Sequence, residues 1–311
     1  MLDVRRLRVL REVATCGSFS AAAESLAYTQ SAVSQQIAAL EREAGTTLVE
    51  RSARGVRLTD AGRALVEHAD VILARLADAE AELEAIAGLR GGRLRLAAFP
   101  SAGASLMPEA IAVFRDRHPA VELTLEPAEP GPGLAKLRAG EVDVALDITV
   151  AFRPPPDDGI DRVHLLDDPM YVVLPEGHPA ARKRSLKLED LADESWILGT
   201  TAACPDASIF LRSCQLAGFE PRIAFNSDDY FAMQGFVAAG VGASFIPDLA
   251  LVSVRDDIVV RSLGPRPPAR QIVAATLKDS FRSPAKQAML DVLVEVGHGF
   301  GGKHRRLALA S

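Results

Sequence analysis

Residues 59–89 carry a stripe of apolar side chains along what is predicted to be one long helix. The segment contains no proline, Thr59 can cap its first turn, and a glycine cluster that starts at Gly88 can end it. Seven apolar residues, which we call the seam, alternate steps of four and three as in a coiled coil: Leu65, Ala69, Ile72, Leu76, Ala79, Leu83 and Ile86. A lone helix has no core, so the seam must pack against the same helix of a second chain or against the chain's own body.

Three shorter helices are predicted before this long one. Residues 3–15 place apolar side chains at helical spacing. A second helix over residues 21–26 can be capped by Ser18 or by Ser20. A third helix, capped by Thr29, is expected to run to about residue 44 and to end at Gly45.

One face of the third helix carries side chains suited to reading DNA. Amides and hydroxyls match the donors and acceptors of base edges in the major groove, and the helix presents Gln30, Ser31, Ser34 and Gln35. Residues 48–51 and 56–58 then predict a β-hairpin, a wing whose arginines, Arg51 and Arg54, would lie along the DNA backbone or minor groove. Short helices with such faces also occur in proteins that do not bind DNA, so the pattern alone leaves this open.

The first sixty residues resemble the DNA-binding domain of LysR-type transcriptional regulators. The matching pieces are GSFSAAAESL at 17–26, QSAVSQQI at 30–37, Leu40-Glu41, Gly45, and Leu58-Thr59 followed by Gly62. The resemblance implies a winged helix-turn-helix that contacts the operator through Gln30, Ser31, Ser34 and Gln35 from the recognition helix and through Arg51 and Arg54 from the wing. Many relatives have arginine at the position of Gln35, which predicts a weaker phosphate contact or a different base preference here. The resemblance also implies a homodimer formed through the long helix, homotetramers made of paired dimers, and binding to inverted repeats in double-stranded promoter DNA.

From Arg93 onward, strands and helices alternate, which predicts an α/β body with a mainly parallel sheet. The first lobe is expected to contain a strand at 93–99, a loop at 100–105, a helix at 106–117, a strand at 121–125, a helix at 134–139 and a strand ending at 146. The second lobe is expected to contain strands at 169–174 and 196–198, a helix after Pro205 and a strand ending at 247. A strand at 271–276 and a helix at 283–296 complete the first lobe. Ligand crevices of such sheets lie beyond the carboxyl ends of the strands.

This body resembles the type 2 periplasmic-binding-protein fold of LysR-type effector domains. The matching pieces are Leu106-Met107-Pro108 with Phe114, His118-Pro119, Gly140-Glu141-x-Asp143 and Gly240-x-Gly242. In such proteins a small-molecule effector lies between the lobes, where hydroxyls and amides can hold a carboxylate or another polar head group and Phe245 can form an apolar wall. The positions so implied are Pro100, Ser101, Ala102, Asp147, Thr149, Thr200, Thr201, Ser227, Asp228 and Phe245.

We therefore predict an α/β protein with an α-rich winged helix-turn-helix at its N-terminus. The predicted domains are the winged helix-turn-helix over 1–59, a dimerisation helix over 60–90 and an effector-binding domain over 91–311. Within the last, lobe I spans about 91–165 and 268–300, lobe II spans about 166–267, and 301–311 form a basic tail.

Charge and composition fit this division. The net charge is −6, but residues 1–65 hold nine arginines against seven acids, which gives +2 there and −8 elsewhere. Only the N-terminal region is therefore suited to phosphate. No apolar run reaches the roughly 18 residues of a membrane span and no signal peptide is evident, so we expect a cytoplasmic protein with no membrane partner.

No pattern in the sequence indicates catalysis. The six histidines lack metal-ligand spacing, no nucleophile elbow is present, and the three cysteines form no C-x-x-C pair. We expect no cofactor or metal and no enzymatic activity. Asp167-Asp168 and Asp228-Asp229 are neighbours that usually face different ways, and Cys204 and Cys214 fit ordinary thiols better than a redox switch. The alternative is a solute-binding or enzymatic α/β protein with an accessory helical domain, but a secreted binder needs a signal peptide and an enzyme needs a catalytic constellation.

Overall fold

A computed structural model describes residues 1–52, 55–86, 92–153, 155–156, 158–199, 205–278 and 283–307. The chain divides into two compact units. One is built on the N-terminal residues through the long helix and also takes in residues 135–142. The other holds most of the remaining chain.

The N-terminal residues form three helices, a hairpin and the long helix. The elements are α1 (Val4–Cys16), α2 (Phe19–Ser25), α3 (Gln30–Ala44), β1 (Val49–Ser52), β2 (Gly55–Leu58) and α4 (Asp60–Ile86). The caps are those that the sequence predicts: Ser18 Oγ accepts from the Ala21 amide at 3.0 Å, and Thr29 Oγ1 accepts from the Ala32 amide at 3.2 Å. Gly45 ends α3 in the left-handed conformation, with φ of +68°.

We call residues 1–58 the head. The centre of its core is made of fully buried aliphatic side chains from α1 and α3: Leu7, Leu10, Val13, Val33, Ile37 and Leu40. The antiparallel hairpin is tied to this core because Glu41 Oε1 accepts from the Leu48 amide at 2.8 Å. Gly62, in the first turn of α4, packs so closely that a Cβ there would lie 2.0 Å from the Leu48 carbonyl oxygen. Helix α4 is therefore seated directly on the base of the hairpin.

The seam divides into two parts. Thr59 caps α4 by accepting from the Gly62 amide at 3.0 Å. Leu65 and Ala69 pack into the core of the head, so the first part of the seam is covered by the chain's own body. Beyond them Ile72, Leu76, Ala79 and Leu83 are exposed within the chain, while the side chain of Ile86 lies outside the described residues.

The rest of the chain alternates strands and helices. The elements are β3 (Arg93–Ala98), α5 (Pro100–Ala104), α6 (Leu106–Arg117), β4 (Glu122–Pro127), α7 (Pro130–Arg138), β5 (Val144–Thr149), β6 (Ile160–Pro175), β7 (Ser195–Leu198), α8 (Pro205–Leu216), β8 (Arg222–Asn226), α9 (Tyr230–Ala238), β9 (Ala243–Pro247), β10 (Ile258–Arg261), β11 (Ala269–Leu277) and α10 (Pro284–Leu307). Short 3-10 turns cover Pro179–Arg182, Leu188–Leu191 and Asp248–Ala250. The sequence did not indicate β8, α9 or β10.

The sheet is mixed, so the expectation of a mainly parallel sheet is wrong. Its strand order is β4-β3-β5-β11-β6-β9-β7-β8, with β10 also paired to β6. Strand β3 is parallel to β4 and β5, and β7 is parallel to β8 and β9. The long strands β6 and β11 instead run antiparallel to their neighbours, because they connect the lobes and return the chain. Such return strands leave no separate signature in a pattern of alternating strands and helices.

Each lobe has its own apolar core. The first lobe buries Leu96, Phe114 and Leu293 among other residues, and the second buries Trp196 and Phe210. Strand β6 passes from one lobe to the other: its first part pairs with β11 and its last part pairs with β9 and β10.

Two segments expected to be irregular are helical. The predicted loop at 100–105 is wrong because Pro100 begins the short helix α5, a position that suits the fixed φ of proline. The segment from 301, predicted as a basic tail, is helical as far as Leu307, where α10 ends. A Cβ at Gly297 would lie 2.7 Å from the Leu165 carbonyl oxygen, so glycine permits α10 to lie close against β6.

Within the described ranges, no helix combines the length and the apolar character needed to span a membrane.

Candidate nucleic-acid interface and inter-lobe site

The predicted DNA-reading residues lie on the outer face of α3. Gln30, Ser31 and Gln35 are exposed and Ser34 is half-buried, while the opposite face of α3 is buried in the core of the head. Thr29 Oγ1 and Ser31 Oγ lie 3.0 Å apart at the start of the helix. The structure therefore presents these polar side chains together on one helix surface.

The wing is a two-stranded hairpin in which Arg51 is paired with Val56. The Val56 amide donates to the Gly17 carbonyl at 3.0 Å, which ties the hairpin to the end of α1. The side chain of Arg51 and all of Arg54 lie outside the described residues, so their contacts with DNA stay predictions.

A buried ion-pair network lies where the lobes meet, centred on Arg270 of β11. The side chain of Arg270 is 1% exposed. Its Nε donates to Asp168 Oδ2 at 2.8 Å, and one terminal nitrogen donates to both oxygens of Asp206 at 3.1 and 3.0 Å. Asp168 lies on β6 and Asp206 in the first turn of α8, so one guanidinium joins three elements.

Three more contacts complete the network. The other terminal nitrogen of Arg270 donates to Ser101 Oγ at 2.8 Å, and the Tyr230 hydroxyl donates to Asp206 Oδ2. The guanidinium carbon lies 5.3 Å from the centroid of the Phe99 ring. Ser101 lies in α5, which packs in the first lobe, and Asp206 lies in α8, which packs in the second. Arg270 thus bridges the first turns of helices from both lobes.

The charges in this network oppose their own burial. Burial raises the pKa of Asp168 to about 6, although Arg270 and the Leu249 amide act against that rise. Burial also acts to lower the pKa of Arg270, but Asp206 and Asp168 together outweigh it, so the pKa of Arg270 lies above its ordinary value. Arg270 is therefore a permanent buried cation. Removing either aspartate would leave its charge with a single buried carboxylate as its partner.

The predicted effector positions fall into different settings. Ser101 belongs to the network around Arg270, and its neighbours are exposed Pro100 and buried Ala102. In the segment before α9, Ser227 is half-buried and Asp228 is exposed.

Two other predicted positions have structural roles. Asp147 is paired with Arg162 at 3.1 Å, and Phe245 packs in the second-lobe core with its ring 5.6 Å from Phe210. The Thr149 hydroxyl lies 3.4 Å from Gln271 Oε1. Thr200 and Thr201 lie outside the described residues.

Sequence reasoning missed the centre of the network. Arg270, Asp206 and Tyr230 were not singled out, and Asp168 was discounted as one of two adjacent carboxylates. The two neighbours do face different ways, since Asp168 is fully buried while Asp167 is exposed. The local signal that could have indicated a buried charge is an arginine at the start of the apolar strand β11.

The cysteines and histidines in the described part of the chain add no second site. Burial raises the pKa of the Cys214 thiol to about 12, which leaves it unreactive. Cys204 lies outside the described residues, so a pairing with Cys214 stays untested. Among the residues with described positions, no group of three or more histidine, cysteine, aspartate or glutamate side chains is placed to hold a metal ion.

Comparison with known proteins places these features in one family. The model described as "Bacterial regulatory helix-turn-helix protein, lysR family" matches residues 4–63, and "LysR substrate binding domain" matches residues 87–297. The chain is 33% identical to a probable HTH-type transcriptional regulator, LrrA, of Synechococcus elongatus, over 94% of this chain and 96% of LrrA.

Solved structures resemble the whole chain. A full-length OxyR variant from Pseudomonas aeruginosa superposes with a TM-score of 0.69 at 25% identity, covering 94% of this chain and 98% of OxyR. CbnR, a LysR family transcriptional regulator, has the same fold, with a TM-score of 0.66 at 24% identity over 95% of this chain and 99% of CbnR.

Proposed function

The chain belongs to the LysR family of bacterial transcriptional regulators, with a DNA-binding head and an effector-binding domain, and from this premise we propose which residues do the work. Promoter DNA and a small-molecule effector are its partners, and it acts as an oligomer. The proposals below concern the residues that contact each partner.

We propose that α3 lies in the major groove and reads base edges through Gln30, Ser31, Ser34 and Gln35. The observation that carries this is the two-faced helix: its apolar face is fully buried in the head, and its polar face is turned outward. Amide side chains can bond adenine edges in two places, and the first amides of a helix can meet phosphate. The hairpin arginines Arg51 and Arg54 would then lie along the backbone beside this groove.

The exposed part of the seam supports pairing of two α4 helices. Ile72, Leu76 and Leu83 are 40, 46 and 66% exposed within the chain, at coiled-coil spacing. Such a row is unfavourable in water and is covered most simply by the same row of a second chain. A homodimer formed in this way carries two heads for two half-sites, and pairs of dimers would form the tetramer.

The effector is proposed to bind between the lobes, beside Ser101 and the segments around Pro100, Ala102, Ser227 and Asp228. Thr149, Thr200 and Thr201 remain proposed contacts of the effector. Asp147 and Phe245 have structural roles instead, since Asp147 is paired with Arg162 and Phe245 packs in the core of the second lobe. An effector acts only if it binds one arrangement of the lobes more tightly than another. That difference would change how the oligomer spaces its heads.

We further propose that the protein has no enzymatic activity and works in the cytoplasm. Its relatives are transcriptional regulators, and a regulator must reach promoter DNA. The alternative, a solute-binding or enzymatic protein with an accessory helical domain, is not favoured.

A gel-shift titration with the DNA upstream of the protein's own gene, beside a scrambled probe, tests the assignment of the head. The wild type should form a specific complex that Ser34→Ala and Arg54→Ala both weaken. Arg54→Ala should also reduce the slope of log affinity against log salt by about one, because one phosphate contact is lost. Arg115→Ala, an exposed arginine on α6, is the matched control and should bind as the wild type does. Equal binding of both probes by the wild type would contradict the assignment.

A further inference from the structure

The carboxylate of Asp206 is held as a bound ligand would be. Both of its oxygens accept from one nitrogen of Arg270, at 3.1 and 3.0 Å, and one of them also accepts from the Tyr230 hydroxyl. These donors come from elements far apart in the chain, β11 and α9, and they converge on the first turn of α8. A cation and a hydroxyl arranged around two oxygens form a carboxylate-binding site.

Arg270 does not need Asp206 for its charge to be neutralised. Asp168 already neutralises it from the Nε side at 2.8 Å, and the Leu249 amide holds the other oxygen of Asp168 at 3.0 Å. Asp206 is thus a surplus buried carboxylate, and burying it has a desolvation cost. If the carboxylate of a ligand replaced it, the charge around Arg270 would be unchanged, and Asp206 would return to water.

The replacement would act on both lobes. Arg270 holds Ser101 of the first lobe with one terminal nitrogen and Asp206 of the second with the other. Because Asp206 lies in the first turn of α8, its release frees that end of the helix from β11. The Ser101 hydroxyl is already oriented toward the same guanidinium.

The rim of this site is acidic. Glu129 and Asp228 are exposed residues that follow β4 and β8, the strands paired with β3 and β7, after which Ser101 and Asp206 lie. Desolvation and the carboxylates of Asp228 and Asp206 raise the pKa of Glu129, and Arg270 acts against that rise. Excess negative charge at the rim disfavours ligands that carry several negative charges. It favours a ligand with one carboxylate and a remainder that is neutral or cationic.

We propose that Arg270, Tyr230 and Ser101 form a carboxylate subsite, that Asp206 fills it in the ligand-free protein, and that the effector is a monocarboxylate which exchanges with Asp206. The identification of this ligand as the effector rests on the function proposed above. The existence of the subsite does not, so it can be tested without DNA.

The test is chemical rescue of full-length Asp206→Ala by acetate. Deleting the side chain leaves Arg270 facing a space of carboxylate size, so the variant should melt below the wild type, and acetate should restore most of the lost melting temperature in a saturable manner. Sodium chloride at the same ionic strength should not restore the melting temperature. Inorganic phosphate should restore less of it than acetate does, because the acidic rim disfavours a multiply charged anion. Asp256→Ala, which removes an exposed carboxylate in the turn before β10, is the matched control and should gain no more from acetate than the wild type does.

A folded Asp206→Ala protein that acetate does not stabilise would overturn the proposal, as would equal stabilisation of Asp256→Ala. Rescue by phosphate as strong as by acetate would overturn the assignment to monocarboxylates. If Asp206→Ala does not fold, Asp206→Asn decides: its amide is held more weakly by Arg270, so it should bind acetate on the order of tenfold more tightly than the wild type does in an NMR titration. Equal affinities would refute the exchange.

Discussion

Replacing Leu76 by alanine removes a side chain from the middle of the exposed part of the seam. Leu76 is 46% exposed within the chain. If two α4 helices pair along the seam, that exposed half becomes buried in the dimer. The substitution leaves the head intact, because the seam residues that pack into its core are Leu65 and Ala69.

The size of the effect follows from the exposed fraction. Full burial of a leucine is worth about 1.5–3 kcal/mol. Burying the exposed half of Leu76 therefore contributes about 0.7–1.4 kcal/mol per protomer, and about twice that per dimer because each chain supplies one leucine. Losing most of it raises the dimer dissociation constant roughly 10- to 100-fold.

Sedimentation equilibrium over a range of concentrations measures this shift. Val71→Ala is the matched control, because Val71 is 61% exposed on the same helix but lies off the seam. It should leave the dissociation constant unchanged. If Leu76→Ala dimerises as the wild type does, or if Val71→Ala weakens the dimer equally, then α4 does not pair along the seam.

Three further predictions concern the stability of the fold and its thiols. Gly62→Ala places a methyl 2.0 Å from the Leu48 carbonyl oxygen, and should lower the free energy of unfolding by about 1–3 kcal/mol in urea titrations, despite the helix preference of alanine; an unchanged midpoint would mean that α4 is not seated on the hairpin. Thr29→Ala removes the cap that accepts from the Ala32 amide, and should cost about 1 kcal/mol by the same measurement; Thr29→Ser should retain the stability. Cys214 should resist alkylation in the native protein at mildly alkaline pH and react once unfolded, because burial raises its pKa to about 12; rapid native labelling located there by mass spectrometry would contradict its burial.

The head was predictable almost helix by helix because its signals are local. A capping hydroxyl and a C-terminal glycine lie within a few residues of the backbone groups that they satisfy, as Ser18 and Gly45 do. Such signals need no knowledge of the rest of the chain.

The α/β body was predicted less completely, for two physical reasons. Strand β8 is exposed along its whole length, so it lacks the buried face on which the prediction of a half-buried strand depends. Helix α10 continues through several glycines because Gly297 is needed for close packing on β6, a tertiary contact that overrides the poor helix preference of glycine.

The inter-lobe network was beyond sequence reasoning because its partners are distant in the chain. Arg270 is separated from Asp206 by 64 residues and from Ser101 by 169. No local pattern links them, and only the crossing of β6 and β11 between the lobes brings them together. Ser101 was predicted to hold an effector, and the structure shows that Arg270 donates to its hydroxyl.

A DNase I footprint of the full-length protein on the DNA upstream of its own gene tests the central claim most directly. A dimer with two heads that each place α3 in a major groove should protect two related half-sites on the same face of the duplex, whose centres lie one helical turn, about 10 base pairs, or a multiple of it apart. Gln35→Ala should weaken protection at both half-sites together. Protection of a single unrepeated patch, or protection that ignores sequence, would contradict a regulator that reads paired sites through α3.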